Sequence, residues 1–162
     1  MKIKYIITSL ILSITFLSAN SFVKLATPIK AMDFALQNSE EQTIKFSTFK
    51  GKPIILNFWA TWCPPCKREM PTLQKFYKKY KNTVEVVAVA SGQGDDDVFP
   101  FVSQITPKLT FHILYDETSI VSRQYNIEAM PTSFLINKDG FITHYAIGEI
   151  DFMGKKFLDL IK

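Results

Sequence analysis

The chain has 162 residues, 47% of them hydrophobic and 14% aromatic, which excludes a disordered protein and fits one domain with a proper core. The formal charge is +4, but Lys2 and Lys4 lie in the first 21 residues, and without them 17 basic side chains face 15 acidic ones, a charge of +2. A balance that small gives no argument for a nucleic-acid partner.

Residues 1–21 read as a secretory signal peptide. Lys2 and Lys4 form a positive start, Ile6 to Leu17 is an apolar run, and Ser18-Ala19-Asn20-Ser21 supplies small residues for cleavage. An uncleaved anchor is the competing reading. A bilayer needs roughly twenty apolar residues, more than this run holds, which favours cleavage. The mature domain is then residues 22–162, placed in the periplasm or otherwise outside the cytoplasmic membrane. Thiols there tend to be oxidised, so a reductant would need a supply of electrons.

Residues 22–47 carry the weakest pattern. Asp33 to Leu36, a polar turn from Gln37 to Gln42, and Thr43 to Phe46 suggest a β-hairpin with Ile44 and Phe46 on one face. A short connector, Ser47 to Gly51, leads through Pro53 to an apolar strand at Ile54–Phe58. The helix after Cys63 places Cys66, Met70, Leu73, Phe76 or Tyr77, and Tyr80 at intervals of three or four residues. Lys67, Arg68, Lys75, Lys78 and Lys79 take the complementary face, read as a solvated surface. Pro71 removes one helical hydrogen bond and predicts a kink.

Val84 to Ala90 is a nearly continuous apolar run, the mark of a strand covered on both faces. The loop Ser91–Asp97 follows, and its acids Asp95, Asp96 and Asp97 suit a helix N-terminus better than a calcium site. A helix is predicted over 96–105, stopped before Pro107, then a strand over 111–115 and a helix over 117–125. The segment from Ile127 through Pro131 turns into a strand ending at Ile136. Lys138-Asp-Gly140 is a hairpin turn into a strand over 141–146. Asp151 is expected to cap a last helix with Phe157, Leu160 and Ile161 inward, weakened at Gly154 by about 1 kcal/mol relative to Ala. The order predicts an α/β fold: a mixed sheet with helices on both faces.

Cys63 and Cys66 are the only cysteines, three positions apart at the predicted helix start. Roughly half a positive charge at a helix N-terminus favours a thiolate, so Cys63 is the candidate nucleophile and Cys66, one turn in, the resolving thiol. Pro64 and Pro65 fit a first turn whose N–H groups have no helical partner. Two other readings stand beside the redox one. Zinc needs about four ligands, and only His112 and His144 remain to supply them. A purely structural bridge would close a very short loop and stabilise little.

Trp59-Ala-Thr-Trp62-Cys63-Pro64-Pro65-Cys66, with Met130-Pro131-Thr132 ahead of a later strand, resembles the thioredoxin superfamily. The Asn57-Phe-Trp-Ala-Thr-Trp lead-in, Glu69, the segment from Asp95 to Asp116 and the exported start resemble its TlpA/ResA-type branch. The resemblance implies a thioredoxin-like sheet with an N-terminal β-hairpin and a central αβ insertion. It implies a cis bond before Pro131, with Met130 offering its backbone to an extended substrate strand. Pro64 would line the same groove, Trp62 would line it or simply pack beside Cys63, and Glu69 would move protons to and from Cys66. The alternative for Glu69 is a surface acid paired with a lysine. Asn57 stands where cytoplasmic thioredoxins carry a buried acid, and it cannot titrate.

The activity implied is protein thiol-disulfide exchange by a monomer, with the Cys63–Cys66 pair as the redox group and no other cofactor or metal. Substrates would be protein disulfides, apocytochrome c among them, and the electron donor a membrane protein of the CcdA/DsbD kind. The rivals are a DsbA-like oxidant, a thiol peroxidase and a non-catalytic binding module.

Overall fold

The computed structural model describes residues 21–161, so the expectations for residues 1–20 lie outside the described residues. In chain order the strands are β1 (Val23–Lys30), β2 (Ala35–Gln37), β3 (Thr43–Lys45), β4 (Ile54–Trp59), β5 (Glu85–Ser91), β6 (His112–Asp116), β7 (Thr132–Ile136) and β8 (Phe141–Ile147). The helices are α1 (Pro64–Tyr80), α2 (Asp95–Val102), α3 (Ile120–Gln124) and α4 (Lys155–Leu160), with a 3-10 turn at Phe46–Phe49. All eight strands form one sheet in the order β1-β8-β7-β4-β5-β6-β2-β3. β4, β5 and β6 run parallel, and the remaining pairings are antiparallel. This is the mixed sheet that the sequence predicts.

Strand periodicity sorts the core into two layers. Ile55 and Trp59 of β4 join Val86, Ala88 and Ala90 of β5 on the face covered by α1, α2 and α4. Ile54, Leu56 and Phe58 join Val87 and Val89 on the opposite face, under α3 and the β2–β3 hairpin. Helix α1 seats Cys66, Met70, Leu73 and Phe76 in the first layer, with Tyr77 and Tyr80 half-buried. Its lysines and Arg68 are exposed, as the spacing requires. The helix carries Pro71 within its span.

Several predicted boundaries shift for identifiable reasons. β1 has no counterpart in the sequence reading: it is an edge strand, exposed at nearly every position, with a register shift between Lys24 and Ile29, so no alternation marks it. Helix α2 ends at Val102, three residues before the predicted stop, with Pro100 inside it. Strands β5 and β6 each begin one residue later than predicted. Helix α3 starts at Ile120 rather than Glu117 because the buried Asp116 carboxylate accepts from Val121 N at 3.2 Å and Ser122 N at 2.7 Å. Asp116 also accepts from Ser122 Oγ at 2.7 Å. Asp116→Ala would strand these donors and is expected to cost about 3 kcal/mol, read as a lowered urea midpoint.

The last helix departs from expectation twice. Its N-cap is Gly154, not Asp151, which instead accepts from Met153 N at 3.0 Å in the turn before it. Gly154 therefore lies outside the helix interior, and Leu160 is exposed while Phe157 is buried. The turn after β7 follows its sequence: Gly140, at φ +85°, takes a conformation that strains other residues and donates its N–H to Asn137 O at 2.9 Å. Among the described residues no helix is long and apolar enough to cross a membrane.

Candidate active site

The site forms where β4 ends and α1 begins. Cys63 is the N-cap of α1, and Pro64 and Pro65 open the helix, where a missing N–H costs nothing. Cys63 and Cys66 are joined in a disulfide with a Cα–Cα distance of 5.3 Å. Cys63 Sγ accepts from Cys66 N at 3.3 Å, so a first-turn amide already points at the sulfur that would carry charge once the bridge opens. Cys66 is fully buried and Cys63 is 3% exposed.

Around the pair the sequence-predicted residues fall into two groups. Trp62 is 67% exposed and Pro64 is exposed, so both sit on the outer surface beside Cys63. Met130 is half-buried and packs against the cluster that holds Cys63 and Cys66. The Met130–Pro131 bond is cis, and Pro131 is buried with its carbonyl accepting from Gly148 N at 2.8 Å. A second cis bond, Thr106–Pro107, lies in the insertion, where the sequence marks only a helix stop.

Glu69 is not a surface acid. It is 1% exposed, one turn beyond Cys66 on the inward face of α1. Its Oε1 accepts from Asn57 Nδ2 at 2.8 Å and its Oε2 from Ile150 N at 3.0 Å. Burial pushes its carboxyl up to about 8, the two hydrogen bonds pull it down, and Glu149 adds to the rise. Glu149 is itself paired with Arg68 at 2.7 Å on the surface above.

Three further residues shape the site. Asn57 is the one polar side chain in the buried strand β4, and that break in an apolar run is the signal that marks it. Ser133, two residues after the cis proline, accepts from Asn57 Nδ2 at 3.0 Å, and nothing in the sequence pairs the two. Gln93, two residues after β5, clasps Thr61: its Oε1 accepts from Thr61 N at 2.7 Å and its Nε2 donates to Thr61 Oγ1 at 2.7 Å. Gln93→Ala leaves the Thr61 N–H without that partner next to the dithiol. A loss of about 1 to 3 kcal/mol in urea unfolding is expected.

Residues 29–145 match the AhpC/TSA family. The ResA thiol-disulfide oxidoreductase of Bacillus thuringiensis (strain Al Hakam) is 39% identical over 121 residues, 74% of this chain and 69% of its own length. The chain belongs to this family, among its ResA-like thiol-disulfide oxidoreductases. Among solved structures, StoA from Bacillus subtilis superposes with a TM-score of 0.63 at 35% identity, covering 74% of this chain and 90% of that one. A secreted Mycobacterium tuberculosis disulfide oxidoreductase homologous to DsbE gives 0.62 at 27% identity, covering 68% and 81%. The matches extend well beyond the two cysteines to the sheet and insertion that hold them.

Proposed function

We propose that this protein reduces disulfides in exported proteins, with Cys63 as the attacking thiolate and Cys66 as the resolving thiol. The observation that carries the reading is the Cys63–Cys66 bridge at the start of α1 with a buried carboxyl, Glu69, one helical turn beyond its buried sulfur. Cys63 thiolate attacks the substrate disulfide, forms a mixed disulfide and expels one substrate thiolate, which takes a proton from water. Cys66 thiol passes its proton to the Glu69 carboxylate. The Cys66 thiolate then attacks Cys63 Sγ, closes the internal bridge and releases the second substrate thiolate. Two electrons have moved from the dithiol to the substrate, and Glu69 holds the proton. That is the charge state its burial favours at neutral pH in the bridged form.

Recharging reverses the sequence. A thiolate of a donor dithiol opens the bridge at Cys63, the departing Cys66 thiolate takes back the Glu69 proton, and the donor's second thiolate then displaces Cys63 as a thiolate and leaves the donor bridged. The dithiol carries the electrons, so the proposal includes no other cofactor and no metal. Trp62, Pro64 and Met130 surround the place where an extended substrate would lie, beside Pro131.

Export is supported by the character of residues 1–21 and by likeness to a relative described as secreted. The protein acts outside the cytoplasmic membrane as a monomer. It draws electrons from a membrane donor of the CcdA/DsbD kind and serves substrates such as apocytochrome c. The test is to trap mixed disulfides in the parent cell with Cys66→Ala and to measure the reduction potential of the unaltered pair. Trapped exported proteins together with a reducing potential support the proposal. A potential near that of DsbA, about −120 mV, would overturn it in favour of an oxidant.

A further inference from the structure

Asn57 lies at the centre of a hydrogen-bonded chain that joins β7, β4 and α1. Its Nδ2 donates to both Glu69 Oε1, at 2.8 Å, and Ser133 Oγ, at 3.0 Å. Its Oδ1 is buried and has no hydrogen-bond partner among the described residues. This polarity suits an ionised Glu69, which accepts only, whereas burial favours the protonated acid in the bridged form at neutral pH. A protonated Glu69 needs an acceptor for its O–H, and Oδ1 is the unused acceptor on the same side chain. A half-turn of the amide would exchange the two atoms. Oδ1 would then accept from Glu69 and from Ser133, whose hydroxyl serves in either sense. Two hydrogen bonds exist before and two after with their direction reversed, and the half-turn moves the group that lacks a partner among the described residues from Oδ1 to Nδ2.

We propose that Asn57 is a positioning residue for the Glu69 proton: its side-chain amide turns over as Glu69 changes charge, giving Nδ2–H to the carboxylate and Oδ1 to the carboxylic acid. The inference rests on the redox reading above and deepens it, because it explains how the neutral Asn57 side chain partners both protonation states of Glu69. Among the described residues the other groups around Glu69 are these. Helix α1 contributes the Cys63–Cys66 pair, and the loop after β8 contributes Glu149, paired with Arg68, and the Ile150 N–H. Strands β4 and β7 contribute the neutral Asn57 and Ser133. The turnover links the proline loop, through Ser133, to the acid that serves Cys66.

The experiment follows the Asn57 side-chain amide and the Glu69 carboxyl carbon by NMR in the oxidised full-length chain from pH 5 to 10. The two signals are expected to move with one midpoint. In Glu69→Gln, whose amide can donate to Oδ1 at every pH, the Asn57 signals should stay at their acid-limit position. Asn57→Leu removes a charge-assisted bond from the carboxylate, so the Glu69 proton affinity should rise about tenfold. A Glu69 carbon that titrates while the Asn57 amide stays still would overturn the inference and leave the proposed function standing. A Glu69 carbon that never titrates would overturn both. The wild-type titration decides the matter even where a variant fails to fold.

Discussion

Cys63→Ser is expected to remove all disulfide-reducing turnover above the uncatalysed rate while leaving the fold intact. A hydroxyl is nearly isosteric with a thiol but cannot exchange with a disulfide at neutral pH, because the attacking species must be a thiolate. Packing changes little at the N-cap of a helix whose first two residues, Pro64 and Pro65, have no N–H to be satisfied. Cys66→Ala should behave differently. Attack by Cys63 survives, the resolving step fails, and one equivalent of substrate stays bound as a mixed disulfide. Intact-mass measurement after incubation with a disulfide-bearing peptide separates the two outcomes. Turnover that persists in Cys63→Ser would show that the dithiol does not carry the activity.

Glu69→Gln is expected to stabilise the oxidised protein, and increasingly so as pH rises. The carboxyl titrates near 4.5 when unfolded and near 8 when folded. Between these values the folded state holds a proton that the unfolded state has released. Stability contributed by this group is therefore complete below about pH 4.5 and is lost as pH climbs through 8. Glutamine carries no such proton, so the advantage of the variant should grow by about 1.4 kcal/mol per pH unit, reaching on the order of 3 kcal/mol at pH 7. Urea unfolding at a series of pH values, with the disulfide intact, measures it. A difference between the two proteins that stays flat from pH 5 to 8 would mean that Glu69 ionises as freely as a surface acid. The same variant should be slow in exchange, since the proton acceptor beside Cys66 is gone. Stability and function thus pull in opposite directions at this residue, as expected where an ionisable group is buried for its chemistry.

The parts of the fold legible in sequence are those whose signal is local. Strand β5 announces itself through an unbroken apolar run, and α1 through inward residues spaced three and four apart. The turn before β8 is written in Asp139-Gly140. Strand β1 is hidden because an exposed edge strand needs no alternation, and its existence depends on a partner, β8, more than a hundred residues later. The start of α3 moves because a buried carboxylate from the preceding strand takes over its first amides, a choice that propensity along the helix cannot express. Leu160 turns outward because Phe157 already fills the layer against Phe76 and Phe152.

The sequence by itself determined the chemistry: two cysteines a turn apart, prolines that open a helix after the first of them, and a strand that leads into it. These are contacts between neighbours along the chain, and a short stretch specifies them completely. Only the tertiary structure decided what Glu69 is. On its own helix it could be a solvated acid or a buried one, and the difference lies in Asn57 on β4, Ser133 on β7 and the Ile150 amide, brought together from separate parts of the chain. Burial in that setting removes water from the carboxyl, and the loss of water moves its proton affinity to where a thiol can use it.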